Sequence, residues 1–432
     1  MSTALLTDHY ELTMLDAARR SGRASRRSVF EVFSRRLPGQ RRYGVVAGTA
    51  RLIDEIAQFR FGDEELTFLE QREVVGADTL AWLADYEFSG TIRGYAEGEL
   101  YFPHSPILQV EASFAEAVIL ETLILSVLNH DCAVATAASR MVHAAGERPL
   151  IEMGSRRTSE HAAWAAARAA VIAGFGHTSN LEAGRRFGIP TLGTAAHAFT
   201  LLHDSEAEAF DAQLATLGQD TTLLIDTYDI ERGVTRAIEA AGPNLGAVRI
   251  DSGDLSVVVR EVRAQLDALG ATSTRIVVTN ELDEFTIAAL GATPVDAYGV
   301  GTAVVTGSGQ PSAGLVYKLV AREDDSGHMV SVQKTSEGKA NPGGQKIAWR
   351  ELQGGIAVSE NVSSSHAVVP TSGRSVMCDY LREGERVILS DPVSLTEEAR
   401  SHHARVMKEL PPDGYRLTPG EPAIPTMISE GN

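Results

Sequence analysis

Residues 222–255 read TLLIDTYDIERGVTRAIEAAGPNLGAVRIDSGDL. Two short apolar runs, Thr222–Ile225 and Ala247–Ile250, flank a helical segment, Ile230–Ala241, that stops at Gly242. Glycine commonly ends helices because it enters the left-handed conformation without strain. Strand, helix and strand again, with strands that are apolar throughout rather than alternating, imply parallel pairing between helical layers. Each run ends on an acid, Asp226 or Asp251.

The same alternation extends in both directions, from about residue 146 to 306. Further apolar runs are Pro149–Met153, Ile189–Gly193, Arg275–Thr279 and Pro294–Tyr298. Helical segments are expected over Ser159–Ala173, Ser205–Leu217, Leu255–Leu269 and Leu282–Leu290. An open doubly wound sheet and a closed barrel both fit this alternation. The residues that follow the runs favour the barrel. They are Gly154-Ser155-Arg156-Arg157, Thr194-Ala195-Ala196-His197, Asp226, Asp251-Ser252-Gly253-Asp254, Asn280 and Gly299-Val300-Gly301-Thr302. A barrel rim gathers all strand ends around one pocket, whereas an open sheet focuses them at one switch point. The expected fold class is therefore α/β, an irregular (β/α) barrel with a discontinuous second α/β domain built from both flanks.

That second domain is expected from residues 1–130 and 315–432, with the barrel over 131–314. Strand-like pieces in the flanks are Ser28–Phe33, Gly90–Ala96, Ile107–Glu111, Leu315–Val320 and Met329–Lys334. Phe114–Leu128 reads as a buried helix, being too short to span a bilayer and carrying Glu116 and Glu121. A Gly/Pro/Lys-rich loop covers 335–346, and residues 411–425, PPDGYRLTPGEPAIP, lack core periodicity and read as extended or mobile.

With 39 Lys and Arg against 57 Asp and Glu, the 432-residue chain carries a net charge of −18. Nucleic acid and anionic membranes are bound mainly through Lys and Arg, so neither is an expected partner. An anionic small substrate would need local cationic pockets. Only Cys132 and Cys378 occur, without Cys-x-x-Cys spacing, which argues against a disulfide framework or thiolate zinc site and suits the cytoplasm. Asp8, His9 and Glu11 precede any long apolar run, so no signal peptide is expected.

Arg156, Arg157 and Arg249 stand at strand ends, where guanidinium groups can pair with carboxylate or phosphate. Surface arginines more often do nothing beyond solvation. Asp251 and Asp254 could hold ribose hydroxyls or a magnesium ion with pyrophosphate; the alternative is capping of the helix that starts at Leu255. The main-chain N–H groups of Gly299, Gly301 and Thr302 could wrap a phosphate. His197 offers a neutral, nucleophilic nitrogen near neutral pH. Together these groups describe a site for a multiply phosphorylated anion beside a histidine.

The chain also resembles the nicotinate phosphoribosyltransferase family over nearly its whole length. The resemblance is carried by Thr7-Asp8-His9-Tyr10-Glu11-Leu12-Thr13-Met14, Glu152-Met153-Gly154-Ser155-Arg156-Arg157, Gly193-Thr194-Ala195-Ala196-His197, Leu223–Asp229, Arg249–Leu255, Gly299–Thr302, Tyr317-Lys318-Leu319 and the Lys334, Lys339, Pro342, Gly343, Lys346 series, in family order. It implies a cytoplasmic homodimer with a shared site, Mg2+ as cofactor and ATP as co-substrate in NAD salvage. His197 would be the histidine that ATP phosphorylates, with Asp251 and Arg249 completing the catalytic group. Tyr10 would stack on the pyridine ring from the neighbouring subunit, while Thr194 and Arg249 contact nicotinate. Arg156, Asp251 and Thr302 would serve phosphoribosyl pyrophosphate, with Ser155, Gly299 and Gly301 among the substrate-binding residues. Ala198 departs from many relatives, which carry Ser there.

Rival readings are a nicotinamide-specific phosphoribosyltransferase and a catalytically silent ligand sensor on the same fold. The Arg156-Arg157 pair and the context of His197 favour nicotinate over the first; the complete set His197, Arg249 and Asp251 argues against the second. A type I phosphoribosyltransferase is disfavoured because Thr227-Tyr228-Asp229 stand where its phosphate loop would need adjacent acids and Thr-Gly.

Overall fold

A computed structural model describes residues 2–334, 343–364 and 366–429. The expected loop residues Lys339 and Pro342 lie outside the described residues. The chain divides into two compact units, Met1–Thr136 with Gln310–Asn432, and Ala137–Gly309. The first division falls inside one continuous 25-residue helix, Glu121–Ala145. Residues 114–128, read as one helix, are in fact two: Phe114–Val118, opened by a Ser113–Glu116 capping box, and the start of the long helix.

The second unit carries a six-stranded sheet in the order His177–Thr178, Leu150–Glu152, Ala297–Val300, Arg275–Val278, Ala247–Ile250, Thr222–Leu224. Every pairing is parallel. Val248, Ile250, Ile276, Val278, Tyr298 and Val300 are essentially inaccessible, as strands covered on both faces require. The sheet curls into a half-barrel; among the described residues no pairing joins its edge strands, Thr222–Leu224 and His177–Thr178. Helices return the chain between strands; one, Ile230–Ala241, ends at Gly242, where φ is 76°.

One expected strand differs. Ile189–Gly193 shrinks to a single bridge, Thr191 to Thr178. Pro190 has no N–H to give a ladder, and only its carbonyl takes part, accepting from Thr178. The short strand His177–Thr178, unread in the sequence, occupies the sheet edge instead.

The first unit is built on a seven-stranded antiparallel sheet whose centre is Leu315–Glu323, Arg27–Ser34, Leu108–Ser113, Thr91–Tyr95 and Met377–Arg382. Leu12, Leu15, Leu52, Phe59, Tyr95, Ile124 and Tyr317 belong to its apolar core. Residues 411–425 form one 3-10 turn, Pro412–Tyr415, and an otherwise irregular stretch that is anchored: Gly420 and Ala423 donate to the Gln40 and Arg42 carbonyls, and Ile424 is buried. Local periodicity does not register such packing of an irregular segment.

Candidate functional site

Four strand ends of the second unit converge on a pocket of about 200 Å³, lined among others by Arg156, Arg157, Arg249, Asp251, Gly301 and Thr302. A cavity of about 730 Å³ in the first unit is larger, but Arg386, Arg405, Glu97, Glu397 and Glu398 give it mixed charge. The smaller pocket holds three arginines against Asp251 and Glu281, and this is the composition that would receive an anion.

Arg249 leaves strand Ala247–Ile250 with its Nη1 donating to Thr194 Oγ1 at 2.8 Å and to the Ala195 carbonyl at 3.2 Å. Its Nε is buried and has no hydrogen-bond partner among the described residues. Burial pulls the Arg249 pKa below its usual value, Asp251 and Asp226 push the other way, and Arg156 adds to the lowering. A guanidinium so placed keeps donor capacity for a further acceptor, and an anion is the acceptor that would relieve its desolvation.

His197 opens a short helix, His197–Leu202, and is half-exposed. Its Nδ1 lies 3.1 Å from Thr227 Oγ1, and its Nε2 lies 4.0 Å from Asp251 Oδ2. Asp251 Oδ1 accepts from Thr279 Oγ1 at 2.7 Å. Asp226 organises the turn below: its Oδ2 accepts from the Asp251 N–H and from Ser252 Oγ, both at 2.7 Å, and its Oδ1 is buried without a partner among the described residues. Asp254, in contrast, caps helix Leu255–Ala268 through Ser256. Of the two acids of the Asp-Ser-Gly-Asp turn, Asp254 therefore takes the capping role, while Asp251 lines the pocket.

The turn Ser155–Arg157 is fixed from beneath by Glu152. That buried carboxylate accepts from the Gly154 N–H and from Thr178 Oγ1, and burial raises its pKa. Ser155 Oγ accepts from Asn180 Nδ2 at 3.0 Å. Arg156 and Arg157 are left exposed at the pocket. Opposite, Gly299 is buried where a side chain would strike Met153 Sδ and Thr279 Cγ2, and Gly301 leads into the single helical turn Thr302–Val305.

The structure therefore brings Arg156, Arg249, Asp251, Gly299, Gly301 and Thr302 to one pocket. Thr194 is tied to it through Arg249, and His197 Nε2 lies 4.0 Å from Asp251 at its edge. Ser155 faces Asn180 rather than the pocket lining. Tyr10 belongs to the first unit, 44% exposed on helix His9–Arg20. Ala198 is exposed and supplies no hydroxyl. Asp226, Thr227, Thr279 and Glu152 were not singled out as site residues in the sequence; a polar residue directly after an apolar run was the available signal for Asp226.

Among the described residues no group of three or more His, Cys, Asp or Glu converges as a metal site. That donor set still suits Mg2+, which commonly takes one or two carboxylates and completes its shell with water and substrate phosphates. The buried, unpaired Asp226 Oδ1 and the neighbouring Asp251 carboxylate are the oxygens available for it.

The nicotinate phosphoribosyltransferase N-terminal domain profile matches residues 5–129. A nicotinate phosphoribosyltransferase of Mycobacterium tuberculosis is 54% identical, over 98% of this chain and 94% of that protein. One from Bacillus subtilis is 38% identical, over 80% of this chain and 73% of its own length. The crystal structure of human nicotinic acid phosphoribosyltransferase superposes with a TM-score of 0.80 at 25% identity, covering 98% and 97% of the two chains.

Proposed function

Because the chain belongs to the nicotinate phosphoribosyltransferase family, we propose that it joins nicotinate to phosphoribosyl pyrophosphate, forming nicotinate mononucleotide and pyrophosphate for NAD salvage. The observation that carries this reading is the Arg249–Thr194 pair, a half-buried guanidinium whose inaccessible Nε is an unused donor, beside a hydroxyl. That pair can take the carboxylate of an anionic pyridine.

The pyridine nitrogen attacks C1 of the sugar, the bond from C1 to the pyrophosphate oxygen breaks, and pyrophosphate departs with the electron pair. No general base is required, since the attacking nitrogen carries no proton. The protein's work is to place the two reactants and to meet charge on the leaving group. Arg156 and the N–H groups of Gly301 and Thr302 would face the phosphates. Asp226 and Asp251 would hold Mg2+, which when bound neutralises pyrophosphate charge.

ATP is the proposed co-substrate. A ring nitrogen of His197 attacks the γ-phosphorus, ADP leaves, and hydrolysis of the phosphohistidine later releases phosphate. Thr227 and Asp251, on either side of the imidazole, support this role. The proposed working form is a cytoplasmic homodimer in which Tyr10 completes the partner's site.

The test is product formation with nicotinate and nicotinamide in parallel, each with and without ATP, alongside labelling from γ-labelled ATP. Nicotinate turnover stimulated by ATP, and acid-labile label absent from His197→Ala, are expected. Preference for nicotinamide would replace the substrate assignment. Normal labelling of His197→Ala would remove the phosphohistidine from this residue.

A further inference from the structure

A histidine that must meet a phosphoryl group needs its ring held in one orientation, because rotation about the Cβ–Cγ bond otherwise spreads both nitrogens over a wide arc. Asp251 does not hold it directly, since 4.0 Å exceeds hydrogen-bond length. Thr227 does. Its hydroxyl, 3.1 Å from Nδ1, makes the one side-chain hydrogen bond that the His197 ring has among the described residues. Thr279 performs the matching task on the other partner: its hydroxyl binds Asp251 Oδ1 at 2.7 Å, which turns Oδ2 toward His197 Nε2.

We infer that Thr227 and Thr279 are the positioning residues of the His197–Asp251 pair, one hydroxyl fixing the imidazole and the other the carboxylate. The inference rests on the reading of His197 as phosphoryl acceptor, and it concerns orientation rather than contact with substrate. The two threonines follow different strands, Thr222–Leu224 and Arg275–Val278, and these are separated in the sheet by Ala247–Ile250, whose end carries Asp251. Three strand ends thus fix the geometry of a residue that lies on none of them. His197 sits on a six-residue helix too short to hold its own side chain by packing; of its residues only Thr200 is buried. The methyl group of Thr279 is part of the same arrangement, because Cγ2 lies 2.7 Å from where a Cβ on Gly299 would stand. Valine at 279 would retain that packing and remove only the hydroxyl.

The test uses the full chain labelled with 15N-histidine and freed of divalent metal, with the His197 signals assigned by their loss in His197→Ala. In Thr227→Val both ring-nitrogen shifts of His197 should move, and Thr227→Ser should restore them. In the Mg2+-loaded protein, the initial rate of acid-labile labelling from γ-labelled ATP should fall about tenfold in Thr227→Val and in Thr279→Val, the loss expected for one hydrogen bond. The serine variants should recover to within about twofold, and KM for phosphoribosyl pyrophosphate should stay within about twofold in the Thr227 variants, since Thr227 does not line the pocket. If valine disturbs the fold, the contrast of Thr227→Ala with Thr227→Ser gives the same comparison. Unmoved ring shifts with unchanged labelling in Thr227→Val overturn the inference. Moved shifts in a protein whose wild type takes no label support the positioning and remove the phosphohistidine reading instead.

Discussion

Arg249 and Thr194 are joined by a hydrogen bond of 2.8 Å from Nη1 to Oγ1, although 55 residues separate them in the chain. The contact fixes the guanidinium while leaving the buried Nε without a partner among the described residues. Nicotinate is ionised at neutral pH and nicotinamide is nearly isosteric but neutral, so shape alone separates them poorly. A charged hydrogen bond contributes about 1.5–3 kcal/mol, roughly tenfold to more than a hundredfold in discrimination. With Ala198 offering no hydroxyl, that burden falls on Arg249. Arg249→Gln should lower kcat/KM for nicotinate by that factor and for nicotinamide far less. Equal losses for both pyridines, with a large rise in KM for phosphoribosyl pyrophosphate, would assign Arg249 to the sugar substrate instead.

Tyr10 supports a second expectation. It is exposed on the first helix of the first unit, whereas His197 belongs to the second. If each site takes Tyr10 from the partner subunit, inactive Tyr10→Ala and His197→Ala chains should regain ATP-coupled activity once mixed and exchanged. A mixed dimer would contain one intact site, so recovery should approach half of the wild-type value per mixed dimer. No recovery after proven subunit exchange would place both residues of a site on one chain.

Much of this architecture was legible because parallel strands are apolar throughout and stop on polar residues. Asp251 could be found by that rule alone, and Ala247–Ile250 was bounded correctly from it. Other features carry no such signal. The division at 136/137 lies inside a helix whose periodicity continues across it. The expected strand Ile189–Gly193 had the right composition, but Pro190 left it only one bridge. Thr227 and Thr279 are ordinary residues for a strand end, and their partners, 30 and 28 positions away, become visible only in three dimensions.

A third prediction concerns stability in the first unit. Asp131 is buried between Arg51, with its Nη2 2.9 Å from Oδ1, and His130, with its Nδ1 2.7 Å from the same oxygen. Burial alone would raise the Asp131 pKa, but Arg51 and His130 outweigh it and bring the value to about 2. A carboxylate held below its unfolded value of about 3.9 stabilises the fold above that pH and loses its contribution as pH falls toward 2. Arg51→Gln removes the main partner of a buried charge, which should cost about 3 kcal/mol at pH 7. The gap between wild type and variant should narrow as pH drops through 4. Urea unfolding at several pH values checks this, and a gap that stays constant down to pH 3 would contradict it.

The last prediction concerns Gly154, where two turns lining the pocket meet. Its backbone, with φ −92° and ψ 0°, suits any residue, so conformational freedom is not why glycine stands there. Space is the reason. A Cβ would lie 2.2 Å from Val305 Cγ1, 2.9 Å from the Gly301 carbonyl oxygen and 3.0 Å from Glu152 Oε1. Alanine must therefore push the Ser155–Arg157 turn away from the Gly301–Thr302 turn, or displace Glu152, which holds the first turn through the Gly154 N–H. Overpacking of this kind costs about 1–3 kcal/mol. Because it separates Arg156 from the main-chain donors of Gly301 and Thr302, KM for phosphoribosyl pyrophosphate should rise about tenfold or more in Gly154→Ala. KM for nicotinate should change less, since Arg249 and Thr194 lie on other elements. Gly291→Ala, at a position with open space around the added methyl, serves as the comparison and should leave both constants unchanged. A Gly154→Ala protein with wild-type stability and an unchanged constant for the sugar substrate would show that the two turns do not need this contact.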